Sequence, residues 1–97
     1  MKTGIELIAE ERQRQIEVEG WTVEHDKQQA IGELALAASC YAIIPELRPV
    51  ELPPSHWPWI GAWKPTPKDR IRELQKAGAL IAAEIDRLQA LKEEGGK

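Results

Sequence analysis

A chain of 97 residues with a formal charge of −3 and one cysteine is long enough for a single domain, and these three facts exclude several classes of protein. The mildly acidic balance argues against a general nucleic-acid binder, because phosphate contacts need clustered Lys and Arg. Cys40 has no partner for a disulfide, no apolar run reaches the roughly 20 residues of a membrane span, and the first residues lack the basic-then-apolar layout of a secretion signal, so the expectation is a soluble, cytoplasmic protein in a reducing compartment, without membrane partners.

Helical periodicity runs first from about residue 3 to 19. Its apolar stripe is thin (Ile5, Ile8, Ala9 and Ile16), and Gly20 is a natural stop because it accepts positive φ without a Cβ clash. Asp26-Lys27-Gln28-Gln29 has the Asp-to-Gln spacing of a capping box and predicts a second helix over 27–44, closed by Pro45. From Ala30 to Ile44 this segment is apolar nearly all round, and such a helix must be surrounded by protein. Two further helices cannot surround it, so the sequence predicts a homodimer or homotetramer that completes a helical bundle.

All seven prolines lie in 45–67, together with Trp57, Trp59 and Trp63, which predicts an ordered Pro/Trp-rich loop rather than a flexible linker. Connections this long in a small domain often carry function. A third helix is expected over 68–92. Ile71, Leu74, Gly78, Ile81, Ile85 and Leu88 alternate spacings of three and four, as in a coiled-coil seam. The fold class is therefore all-α, three helices and a long loop, in one domain over 1–97.

Several residues could carry chemistry. Glu33 is the one charged residue between Ala30 and Ile44, and a carboxylate in an apolar helix needs a cation or hydrogen bonds. It meets a Lys or Arg of a neighbouring helix, such as Arg12 or Arg14, reaches solvent, or binds a metal. Glu6, Glu10, Gln13 and Glu17 form one polar stripe on the first helix, and Glu11, Gln15 and Glu19 form another. Each is either a solvated acidic face eased by Arg12 and Arg14 or a source of oxygen ligands, which suit Mg²⁺. Asp26 reads as a helix N-cap beside His25. Glu84, at the edge of the third helix's apolar stripe, either pairs with a base such as Arg12 or shares a site with Glu33. Lys76 is a surface lysine or a phosphate contact. The indole of Trp59 and its neighbours either stacks on a nucleobase or plugs the bundle. Cys40, among Ala and Leu residues, reads as an inert packing residue.

Glu10-Glu11, Glu33 within GELALAASCYA and the segment KAGALIAAEIDRL together resemble small MazG-like proteins, which belong to the all-α nucleoside triphosphate pyrophosphohydrolases. That family carries Glu-Glu-x-x-Glu on one helix and Glu-x-x-Asp on the next. Glu10, Glu11 and Glu33 match, whereas Arg14 and Leu36 stand at the two remaining acidic positions. The resemblance implies cleavage of the α–β bond of a nucleoside triphosphate to monophosphate and pyrophosphate. It implies Glu11 and Glu33 as catalytic residues and Mg²⁺ on Glu10, Glu11, Glu33 and Asp26; it does not cover the tryptophan loop, and the expected nucleotide contacts, Lys76 and Trp59, come from the residues' own chemistry. The competing expectation is a non-catalytic helical module, a degenerate relative whose tryptophan loop binds another protein.

Overall fold

The computed structural model describes residues 1–95, so the last two positions of the expected domain lie outside the described residues. Helix α1 spans Gly4–Glu17. Thr3 starts it with a capping box: its hydroxyl accepts from the Glu6 amide at 3.2 Å, and the Glu6 carboxylate accepts from the Thr3 amide at 2.8 Å. The helix ends two residues before the expected Glu19, and Gly20, at φ 77°, then turns the chain.

Asp26 does not cap the second long helix. A single turn, α2 (Val23–Asp26), forms instead, capped by Thr22, and Asp26 is its last residue. The Asp26 carboxylate is buried and is taken by Arg12 Nη2 at 3.4 Å and His25 Nδ1 at 3.1 Å, so it has no oxygen directed at a following helix start. Gly32, at φ 85°, then breaks the backbone, and α3 runs over Glu33–Ala42, shorter at both ends than the expected 27–44.

The loop is ordered by named contacts. Pro45–Leu47 makes one 3₁₀ turn. Beyond it, Glu73 is fully buried and accepts from Arg48 Nη2 at 2.8 Å, Arg70 Nη1 at 2.7 Å and the Thr66 amide at 3.0 Å. Burial works to raise the Glu73 pKa, but these donors outweigh it and hold the carboxylate below its ordinary value. Arg70 also donates to the carbonyls of Tyr41, Ala42 and Ile43, satisfying acceptors that the end of α3 leaves open. Trp63 stacks on Tyr41 with centroids 4.8 Å apart, and Trp57 meets Tyr41 edge-on at 5.6 Å. The tryptophans thus fold inward against the core.

Helix α4 spans Arg70–Gly95, and α1, α2 and α3 all pack on it. Ala37 and Ala38 of α3 and Ala77, Leu80 and Ala83 of α4 form the centre, with Leu34 and Tyr41. Small residues on both helices let the backbones approach closely. Leu34 and Leu80 are the large aliphatic side chains that this chain sequesters fully, each stabilising it by about 1.5–3 kcal/mol. The largest fully buried side chains are otherwise Gln15, Glu73, Asp26 and Cys40.

The fold is all-α: no strand occurs among the described residues, and no described helix is long and apolar enough to cross a membrane. The chain is only 20 Å thick in its shortest direction, about two helix diameters. Such a slab cannot enclose α4. The seam from Ile71 to Leu88 is not the buried face; Glu73, Ala77, Leu80, Ala83 and Arg87 are.

Candidate functional site

A cleft of about 240 Å³ opens where α1, α3, α4 and the tryptophan loop meet. One wall is aromatic, made by Trp21, Tyr41, Trp57 and Trp59. Trp57 and Trp59 lie edge to face with centroids 5.2 Å apart, and Trp59 Nε1 donates to Gln29 Oε1 at 2.9 Å, which fixes the indole. The remaining polar lining is charged: Arg14, Lys64, Arg72 and Lys76 with Glu11 and Glu19, Lys76 and Lys64 standing next to Tyr41. Four cations against two carboxylates make the cleft locally positive in a chain of net charge −3.

Glu11 is the buried centre of that lining. Arg14 holds it with two bonds, Nε to Oε1 at 2.8 Å and Nη2 to Oε2 at 2.9 Å, and Arg72, 61 residues on, adds Nη1 to Oε1 at 2.6 Å. Burial alone would raise the Glu11 pKa; the two guanidinium groups outweigh it and bring it to about 2. Gln15 Nε2 donates to Glu11 at 3.3 Å, while its Oε1, buried beside the cleft, has no partner. Lys76 donates to the Lys64 carbonyl at 2.9 Å and lies 5.4 Å from the Tyr41 ring centroid. Desolvation, and then repulsion from Arg72, lower its pKa, so an arriving anion would favour its charged form.

Of the residues expected from the sequence, Glu11, Lys76 and Trp59 come together here. Glu33 does not. It is the first residue of α3, half-buried, and its carboxylate accepts from the Ile31 amide at 2.8 Å. At a helix N-terminus a carboxylate is favoured by the helix dipole, so it is neither a costly charge inside an apolar helix nor a partner of Arg12 or Arg14. Glu10 points to solvent and pairs with Lys2. Asp26 is buried with Arg12 and His25, and Glu84 pairs with Arg87 at 2.6 Å on its own helix rather than with Arg12 or Glu33.

These placements bear on the expected Mg²⁺. Among the described residues no group of three or more His, Cys, Asp or Glu side chains stands close enough to hold a metal ion. The one buried carboxylate at the cleft already spends both oxygens on arginines. The residues as arranged do not fit that ion.

Sequence reasoning missed Arg14, Arg72 and Tyr41 as cleft residues. In the sequence Arg14 stands out as a departure from an acidic motif and as a cation that eases the acidic face of the first helix, not as the lining of a cleft. The usable signal is physical: a carboxylate on the inward face of α1 needs a cation, and Arg14 lies one turn away. Arg72 carries no such signal, because its contact with Glu11 depends on how α4 packs.

Comparison with protein-family models, curated proteins and solved structures found no match to this chain.

Proposed function

We propose that this protein binds a nucleotide in the cleft, with the base against Trp57 and Trp59 and the phosphates on Arg14, Arg72 and Lys76. The observation that carries this reading is the pairing of an aromatic wall with a net positive lining inside an acidic chain. Stacking on an aromatic ring is worth about 1–3 kcal/mol per base, and guanidinium groups match phosphate oxygens in pairs. The volume of about 240 Å³ is small beside the ~300–1,000 Å³ of sites for drug-sized ligands, so it suits one ring system with the phosphates along the rim.

Cleavage of the α–β phosphate bond, as the MazG-like resemblance implies, is a second reading, favoured by Glu11 at the cleft. Among the described residues the carboxylates do not assemble around one point that could hold Mg²⁺. Self-association as a dimer or tetramer belongs to the same reading and is supported by the large aliphatic side chains left in water. The interaction-module alternative is weakened by the inward packing of Trp57 and Trp63 on Tyr41.

Tryptophan fluorescence under nucleotide titration tests binding, with Arg72→Ala and Lys76→Ala each weakening it about tenfold. Pyrophosphate release with and without Mg²⁺ across a nucleotide panel tests hydrolysis. Saturable binding without release keeps the first reading and removes the second.

A further inference from the structure

The described residues bury an unusual share of charge and leave a run of large aliphatic side chains in water. Among the described residues seven charged or polar ones are buried, from Glu11 to Arg87, while Ile71, Leu74, Ile81, Ile85 and Leu88 remain between 47% and 66% exposed. These five residues and Gly78 form one face of α4, and α1 adds Ile5 beside it at 83% exposure. A groove lined by Gly4, Leu7, Ile8, Ile71 and Leu74 joins the two helices, so the apolar surface is continuous. With Ile5 and Leu91 it amounts to roughly 700 Å², close to the ~800 Å² that each partner contributes to a standard stable interface. Ordinary monomers rarely leave an apolar patch so large in water.

We propose that a second copy of this chain docks on this face, its α4 antiparallel to the first across a two-fold axis near Gly78 and Ile81. The inference rests on the self-association proposed above and assigns its surface and direction. Two features favour a copy over a foreign helix. First, the spacing from Ile71 to Leu88 reads three, four, three, four, three in either direction. An antiparallel copy therefore matches the outer layers, Ile71 to Leu88 and Leu74 to Ile85, and sets Ile81 opposite Gly78, over about 26 Å of helix. Second, one flank of the seam, Gln75, Ala82 and Gln89, carries no charge, and the other carries Arg70 and Glu84, each paired within its own chain with Glu73 and Arg87, so two identical faces meet without unpaired like charges. At the axis, Ile8 already fills the space over Gly78: a Cβ there would lie 2.5 Å from Ile8 Cδ1. The partner's Ile81 then seats on Ile8 and closes the slab into a four-helix layer of two α1 and two α4 helices.

Light scattering on the full chain at micromolar concentration, with cross-linking of two single variants, tests the assignment. The expected mass is at least twice 10.9 kDa. Leu74→Cys and Ile85→Cys, mixed under mild oxidation, should link to each other and not to themselves; the native Cys40 is buried and should not interfere. Ile81→Glu should halve the mass with helical circular dichroism retained. If that variant fails to fold, the cross-linking pattern decides alone. A wild-type monomer overturns both the self-association and this interface. A multimer in which Leu74→Cys links to itself, or in which neither variant links, overturns this interface and leaves self-association standing.

Discussion

Replacing Glu11 by glutamine removes the charge that holds the positive lining of the cleft together. The carboxylate is held at about 2 against an ordinary 4.5, and at 1.36 kcal/mol per unit this bounds the stabilisation at about 3 kcal/mol. The side chains of Arg14 and Arg72 remain 38% and 29% exposed, so water screens part of that interaction, and about 2 kcal/mol is the expected loss at pH 7. In a domain of this size about 2 kcal/mol lowers the melting temperature by about 10 °C. A depressed carboxylate stabilises the fold fully above its ordinary pKa, and the contribution fades as pH falls from 4.5 toward 2. The neutral amide of the Glu11→Gln variant mimics the protonated acid, so its melting curve and that of wild type should differ at pH 7 and converge near pH 2. A Glu11→Gln protein within about 0.5 kcal/mol of wild type at pH 7 would refute the argument, because that is the ordinary range of a surface substitution.

Glu73→Gln should be more damaging, by about 3–5 kcal/mol, since Glu73 is fully buried and joins Arg48, Arg70 and Thr66; thermal melts at pH 7 measure it, and a wild-type melting temperature would contradict it. Gly78→Ala sets overpacking against Ile8, about 1–3 kcal/mol, against a helix-propensity gain of about 1 kcal/mol. The expected net effect is a loss of about 1 kcal/mol by denaturant titration, and a net gain would show that Ile8 moves aside freely. Tyr41→Phe removes the hydroxyl that accepts from the Lys64 amide at 3.2 Å, at a cost of about 1 kcal/mol in the same titration, and an unchanged midpoint would mean that this bond contributes nothing.

Local rules suffice where a segment depends on itself. Gly20 stops α1 within a few residues, proline content marks an ordered loop, and the period of α4 is visible without any partner. Where two rules compete, the pattern misleads. Asp26 has the spacing of a cap, yet Arg12 reaches it from another helix and the buried ion pair takes precedence. The seam of α4 is legible as apolar, but which side of a helix a single chain covers depends on its neighbours. Here α3 brings Ala37 and Ala38, which pack best on Ala77 and Ala83, and the bulkier Ile and Leu residues are left outside. The acidic residue at the cleft is visible in the sequence as Glu11. Its partner Arg72 is not, because it lies 61 residues away and only packing joins the two.

Binding as proposed engages a base and its phosphates together in the cleft. Titration of the wild-type chain with a nucleoside triphosphate, the matching nucleoside and inorganic triphosphate, read by tryptophan fluorescence, tests it directly. A saturable change is expected with the nucleotide, and at least about tenfold weaker binding of either fragment, since each forgoes either the aromatic or the cationic contacts of the cleft. Equal affinity for inorganic triphosphate and nucleotide, or no saturable change with any of the three, would contradict it.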